Sequence, residues 1–251
     1  MGSEAGVAMS ETAPKTALML ATDKVNQFYG GSHTLWDIDL DIPTGGCVCL
    51  MGRNGVGKTT LLKVIMGLLP ASSGKIRFQD TQLGGARPEA RARVGIGYVP
   101  QGREIFPALT VEENLMVGRL GSRGRAKPGR DLPERIFELF PVLKTMLGRR
   151  GGDLSGGQQQ QLAMGRALAL DPKLLILDEP TEGIQPNVVA EIGDVISRLG
   201  EEGVTVLMVE QKLAFARRVA RSFAILDRGR AVASGAISDL SDDLVRRHLT
   251  V

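Results

Sequence analysis

The sequence predicts an α/β protein with a mainly parallel core sheet. Three observations carry that expectation. Strand-like and helix-like segments alternate through most of the chain, the order expected of parallel strands joined by helical crossovers. The segment KLLILDEP (173–180) is apolar until it ends in two carboxylates, as a central strand buried on both faces would be. A run of strands at the front and a helical block at roughly 103–168 then predict two additions: an N-terminal antiparallel β subdomain and an inserted helical subdomain.

In chain order, 17–29 (ALMLATDKVNQFY), 33–43 (HTLWDIDLDIP) and 46–52 (GCVCLMG) read as strands. The second alternates, with Leu35, Ile38 and Leu40 among polar neighbours and Trp36 adding apolar weight. A glycine-rich turn at 52–57 leads into a helix from Lys58 through Met66. GLLPASSGKIRF is a turn into another strand, and VGIGYVP is a further short strand. TVEENLMVGRL starts a helix with Thr110 as N-cap and Glu113 three residues on, a capping box. GSRGRAKPGRDLPER is polar, basic and rich in Gly and Pro, and reads as a solvated loop.

PERIFELFPVLKTML is helical by the spacing of Ile136, Leu139, Phe140 and Leu143, and SGGQQQQLAMGRALAL is a second helix. After the 173–180 strand come a helix (NVVAEIGDVISRLGEEG), a strand (VTVLMVE) and a helix (KLAFARRVA). SFAILDRGRAVASG closes as a hairpin around Asp227 to Arg230, and SDDLVRRHLTV is a terminal helix.

Composition sets bounds. The 251 residues carry a formal charge of +3 and are 43% hydrophobic, which describes an ordinary globular, mildly basic protein. So small an excess of charge gives no case for nucleic acid. The only cysteines, Cys47 and Cys49, alternate with Val48 on a strand. Their side chains should share one face as buried thiols of a reducing cytosol, a C-x-C being too short for a metal knuckle without further ligands. No apolar run approaches the ~20 residues that span a bilayer. Residues 1–17 are small and polar, unlike a secretion signal, and read as a disordered tail. The expected location is the cytosol, with any membrane role exerted through partners.

Two motifs carry phosphate chemistry. Gly52-Arg53-Asn54-Gly55-Val56-Gly57-Lys58-Thr59 fits G-x-x-x-x-G-K-[ST] between a strand and a helix, the context that motif requires. Glycines let the backbone fold so that N–H groups face phosphates, and the helix N-terminus adds positive potential. Lys58 is suited to the β and γ phosphates and the Thr59 hydroxyl to Mg²⁺, with Thr60 following. An unspecialised glycine-rich turn is the plainer alternative, which spacing and flanks oppose. The second motif is the strand end Asp178-Glu179. It would set Asp178 on Mg²⁺, directly or through water, and Glu179 as the base that orients or deprotonates the attacking water. On its own it could be a mere acidic strand end before Pro180.

Between these lies Leu154-Ser155-Gly156-Gly157-Gln158, followed by a helix. In this order the three segments resemble the ABC (ATP-binding cassette) ATPases, a P-loop NTPase family, with 154–158 as the signature sequence. The resemblance covers nearly the whole chain from about residue 18, and implies a single ATP-binding domain at 18–251. It implies further that Tyr29 stacks on adenine, a half-buried strand tyrosine being the alternative. It also implies that Gln101 contacts Mg²⁺ and the attacking water, in a loop that meets a membrane subunit. Two cassettes pair head to tail in this family, each signature closing the other's ATP site. Thr181-Glu-Gly-Ile-Gln-Pro186 stands at the loop facing that partner but departs from the commoner S-A-L-D form.

Gln211 occupies the place where most cassettes have a histidine that contacts the γ-phosphate. The chain has only His33 and His248. A neutral glutamine can donate a hydrogen bond there but cannot become cationic. One of the two ATPases of branched-chain amino acid importers typically reads V-E-Q at this point, as Val209-Glu210-Gln211 does. GRNGVGKTTLLK, GYVPQGREIFP, TVEENL, GGDLSGGQQQQLA and LDEPTEGIQP look most like the urea-type importer ATPase within that group. The implied protein is the ATP-hydrolysing subunit of a bacterial importer for urea or short amides, on the inner face of the membrane. Its implied partners are a second related cassette (a homodimer in isolation being an option), two permease subunits and a periplasmic solute-binding protein. A branched-chain amino acid importer is the alternative within the group. From other classes, a soluble non-transport ABC ATPase and a cassette that closes on ATP without turnover stand as rivals, the latter opposed by Glu179.

Overall fold

A computed structural model describes residues 17–121 and 132–249. The tail apart from Ala17, most of the basic loop at 121–135 and the last two residues of the chain lie outside them. Two sheets form. The first is antiparallel, in the order β2-β1-β4-β5, from β1 (Leu18–Tyr29), β2 (Ser32–Pro43), β4 (Ser73–Phe78) and β5 (Thr81–Gln82). The second has six strands in the order β10-β9-β3-β8-β7-β6, from β3 (Gly46–Met51), β6 (Ile96–Val99), β7 (Leu174–Asp178), β8 (Thr205–Val209), β9 (Ser222–Asp227) and β10 (Arg230–Ala236). Only β10 runs antiparallel to its neighbour. The expected mainly parallel core and antiparallel addition are both present.

The parallel sheet is buried on both faces, and alternation assigns each residue a side. Cys47, Cys49, Leu175, Leu177, Val206 and Met208 pack into one cluster with the helices α6 (Gly156–Leu168), α7 (Pro186–Glu201) and α8 (Leu213–Val219). Val48, Leu50, Leu174, Ile176, Leu207 and Val209 pack into the other, with α1 (Lys58–Met66) and the antiparallel sheet. The two cysteines share one face as free, buried thiols.

Helices fill the stretch between β6 and β7: α3 (Val111–Gly121), α4 (Glu134–Leu139), α5 (Pro141–Thr145) and α6. Thr110 caps α3 as expected, its hydroxyl accepting from the Glu113 N–H (3.1 Å) while Glu113 accepts from the Thr110 N–H (2.8 Å). The single helix expected over 133–147 is two. Phe140 leaves the helical region (φ −133°, ψ 73°), because Pro141 disfavours an α conformation in the residue before it and opens a new helix at its first position.

Trp36 does not join the core; it is 38% exposed. Asp37 has φ 44° and breaks the β1–β2 register, so the inward face passes from Leu35 to Ile38 in three steps. A short helix, α2 (Pro88–Val94), was not expected. The 222–236 hairpin turns through Arg228 (φ 46°) and Gly229 (φ 74°), the left-handed pair of a tight two-residue turn. Ser241 caps the last helix, α9 (Asp242–His248).

Candidate nucleotide site

The loop from Gly52 to Gly57 joins β3 to α1. Glycine is required at both ends. Gly52 has φ 150° and a Cβ there would overlap the Leu226 carbonyl, while Gly57 has φ 107° and a Cβ would press on Leu35. Gly57 is also the N-cap of α1 and supplies no side-chain acceptor, leaving the first N–H groups of the helix to an anion. Lys58 is buried and donates to the carbonyls of Gly52 (2.7 Å) and Arg53 (2.8 Å). Burial lowers its pKa, while the carboxylates of Glu179 and Asp178 oppose that shift.

β7 delivers Asp178 beside Val209, its register partner at the end of β8. Asp178 is 2% exposed and neither of its carboxylate oxygens has a hydrogen-bond partner. Burial raises its pKa; the nearby Thr59 hydroxyl is the strongest opposing influence, and Glu179 adds to the rise. Buried carboxylate oxygens with only the Thr59 hydroxyl beside them form a site that a cation would complete. Thr59 comes from the loop–helix junction, so hydroxyl and carboxylate meet from two sides.

Glu179 turns out of the sheet with φ 50°, a left-handed conformation uncommon outside glycine and typical of functional positions. Its N–H donates to the Val209 carbonyl at 3.0 Å. Its side chain is held by two amides. Gln211 Nε2 donates to Oε1 at 2.5 Å, and Gln101 Nε2 donates to Oε2 at 3.3 Å. The Gln101 amide also donates to Glu182 Oε2 at 2.9 Å.

These groups line a cleft of about 850 Å³. Asn54, Gly55, Gly57, Lys58, Thr59 and Thr60 of the loop and helix start line it together with Gln101, Glu179, Gln211 and Tyr29. Tyr29 is 49% exposed at the end of β1, a ring free to stack. Gly52, Arg53, Val56 and Asp178 do not line the cleft themselves. Leu154 to Gln158 are not part of this cleft. There Ser155 caps α6 in a capping box, its hydroxyl accepting from Gln158 N (3.3 Å) while Gln158 Oε1 accepts from Ser155 N (3.0 Å).

Six lining residues of the cleft lie outside the site expected from the sequence: Thr34, Glu210 and Lys212, and Thr181, Glu182 and Gly183 of the loop expected to face a partner cassette. For Glu210 a signal existed, an acid directly after the apolar run of β8, the same pattern that marks Asp178 after β7.

A family model for the ABC transporter matches residues 35–182, from β2 through the phosphate loop and the 154–158 segment to the carboxylates. The chain belongs to the ABC transporter family. The cassette is 42% identical over 214 residues to the high-affinity branched-chain amino acid transport ATP-binding protein of Pseudomonas aeruginosa, covering 85% of this chain and 91% of that one. It is 33% identical over 227 residues to the glutamate/aspartate import ATP-binding protein of Escherichia coli K12, covering 90% and 94%. Among solved structures it is similar to a dimeric ATP-binding cassette in a post-hydrolysis state bound to ADP and Pi (TM-score 0.77, 26% identity, 87% and 99% covered). The ABC cassette therefore binds ATP and is an ATPase. Among its described residues no helix is long and apolar enough to cross a membrane.

Proposed function

We propose that this cassette is the ATP-hydrolysing subunit of an importer of the branched-chain amino acid group. The observation that carries the hydrolytic part is the double hold on Glu179 by Gln101 and Gln211, opposite a glycine loop closed on Lys58. In this reading Lys58 and the loop N–H groups bind the phosphates, and Tyr29 stacks on the adenine. Glu179 accepts the proton of the attacking water, positioned by Gln101. Gln211 serves as a neutral sensor that trades its hydrogen bond to Glu179 for one to the γ-phosphate or the water.

The donor set fits Mg²⁺: the partnerless oxygens of Asp178, the Thr59 hydroxyl and the Gln101 carbonyl are all hard oxygen ligands. When bound, Mg²⁺ would be held by Asp178, Thr59 and Gln101 and would supply positive charge to neutralise the charge that develops on the phosphates.

The signature segment lies outside the chain's own cleft, and the solved relative is a dimer. Both support a head-to-tail pair in which Ser155 and the start of α6 close a partner cassette's site. Two permeases would hold the pair on the inner face of the cell membrane, and an extracytoplasmic binding protein would choose the solute. The chain then forms one cassette domain over 18–251, with 103–168 as its helical signature part.

For the solute, the relative from Pseudomonas aeruginosa supports a branched-chain amino acid. A second reading, urea or a short amide, rests on the segments GRNGVGKTTLLK and LDEPTEGIQP, which serve ATP and never meet the solute. Uptake of labelled leucine and labelled urea in the host, with the gene deleted and restored, separates them. Loss of leucine uptake alone supports the first reading and loss of urea uptake alone the second. Unchanged uptake of both overturns both.

A further inference from the structure

Glu210 follows the last residue of β8 and is 3% exposed. Burying a carboxylate is expensive unless its lone pairs are used, and here both oxygens are. Oε2 accepts from the Thr181 hydroxyl at 2.6 Å, and Oε1 accepts from the backbone N–H groups of Gln211 (2.8 Å) and Lys212 (3.0 Å). A second tie runs the same way, from Lys212 Nζ to the Thr181 carbonyl at 2.9 Å. Thr181 is fully buried and lies two residues beyond Glu179. One carboxylate thus clamps two segments, 179–182 after β7 and 210–212 after β8. These are the segments whose side chains meet in the Gln211–Glu179 hydrogen bond.

We propose that Glu210 is a positioning residue for ATP hydrolysis, setting Gln211 in register with Glu179 by tying its backbone to Thr181. The inference rests on the roles of Glu179 and Gln211 given above. A spacer at this point of the core would need only apolar bulk. A charged acceptor satisfied entirely by one hydroxyl and two backbone N–H groups serves geometry instead. Gln211 has a flexible side chain and needs that support: a misplacement of about 1 Å in a reacting group is enough to slow a reaction roughly 100-fold.

The test uses the full-length protein with E210Q, T181V, T181S and Q211A, and the double variant E210Q/Q211A. Steady-state ATP hydrolysis gives kcat and KM, a fluorescent ATP analogue gives nucleotide affinity, and thermal melting reports the fold. E210Q and T181V should each lower kcat about 10- to 100-fold with KM and affinity near wild type, the split of an interaction acting in the chemical step. T181S, which keeps the hydroxyl, should restore most of kcat. With Gln211 removed, E210Q should lose most of its effect. T181V leaves the carboxylate in place, so it decides the matter even if E210Q fails to fold. Wild-type kcat in T181V overturns the proposal, and so does an E210Q effect as large without Gln211 as with it. Wild-type kcat in Q211A overturns the reading of Gln211 itself, a failure distinct from an impaired Q211A beside an unimpaired E210Q and T181V.

Discussion

Gln211 and Glu179 are joined side chain to side chain, the amide nitrogen of one donating to Oε1 of the other at 2.5 Å. They come from adjacent parallel strands whose last paired residues are Asp178 and Val209, so the sheet register itself brings them together. A histidine at 211 would bring a titratable donor to this carboxylate; glutamine brings a neutral one. The two partners should therefore differ in weight. Glu179→Gln should abolish turnover at the site built on this chain's loop while ATP still binds, as expected for loss of a base worth roughly 100- to 10,000-fold. Gln211→Ala should slow hydrolysis less. Phosphate release, with the other site of the pair inactivated, measures both. Wild-type turnover by Glu179→Gln would remove the base assignment, and equal losses would make Gln211 as essential as Glu179.

Lys58 should matter to binding first. Its ammonium bridges two loop carbonyls and is the buried cation of the phosphate loop. Lys58→Ala removes that cation and leaves the Gly52 and Arg53 carbonyls without their donor. Charge-assisted hydrogen bonds contribute about 1.5–3 kcal/mol, so nucleotide affinity should fall about 10- to 100-fold. Titration with a fluorescent ATP analogue reads this directly, and unchanged affinity would place the phosphates elsewhere.

Much of this site was legible because its chemistry is local in sequence. The phosphate loop is contiguous, and the carboxylates stand at the end of a strand too apolar to lie anywhere but the centre of a sheet. The capping boxes at Thr110–Glu113 and Ser155–Gln158 likewise need only three residues' separation. What escaped depends on contacts across the fold. Glu210 takes its meaning from Thr181, 29 positions away. Trp36 faces outward because a bulge at Asp37 changes the phase of β2, which alternation alone cannot foresee. The break at Phe140 was readable, since Pro141 forbids a continuous helix; the apolar spacing outweighed it. α2 carries weak periodicity, and its purpose lies in a single side chain, Arg91.

Arg91 is 4% exposed and donates to four carbonyls, those of Ala86, Val64, Ile65 and Gly84, at 2.6 to 3.0 Å. Val64 and Ile65 are in the last turn of α1, so the guanidinium satisfies the end of the helix whose start faces the nucleotide. Arg91→Met keeps the bulk and orphans those carbonyls. It should destabilise the fold by about 3 kcal/mol, seen as a lower midpoint in urea. Arg91→Lys should recover little, because a single ammonium lacks the planar fork that spans several acceptors. Full recovery by lysine would show that charge, not geometry, is what counts at this position.

Cys47 supplies a test of burial in the core. Burial pushes its thiol up from 9.0 to about 12, and burial is also the chief cause of the rise at Cys49, with Cys47 and Glu210 adding to it. Both thiols should be silent toward iodoacetamide at pH 8 in the native protein and react once it is unfolded. The linkage runs in one direction. Below pH 9 folded and unfolded states both keep the Cys47 proton. Between 9 and about 12 the unfolded state has released it and the folded state has not, so stability falls as pH rises, by up to about 1.4 kcal/mol per pH unit for this thiol. Cys47→Ala should lose roughly 1 kcal/mol at neutral pH from the missing sulfur contacts. Its decline above pH 9 should be shallower than that of the wild type. Urea unfolding of the two proteins from pH 7 to 10.5 compares the slopes. Parallel curves would mean that the Cys47 thiol titrates as freely in the folded chain as in the unfolded one, and that this face of β3 admits water.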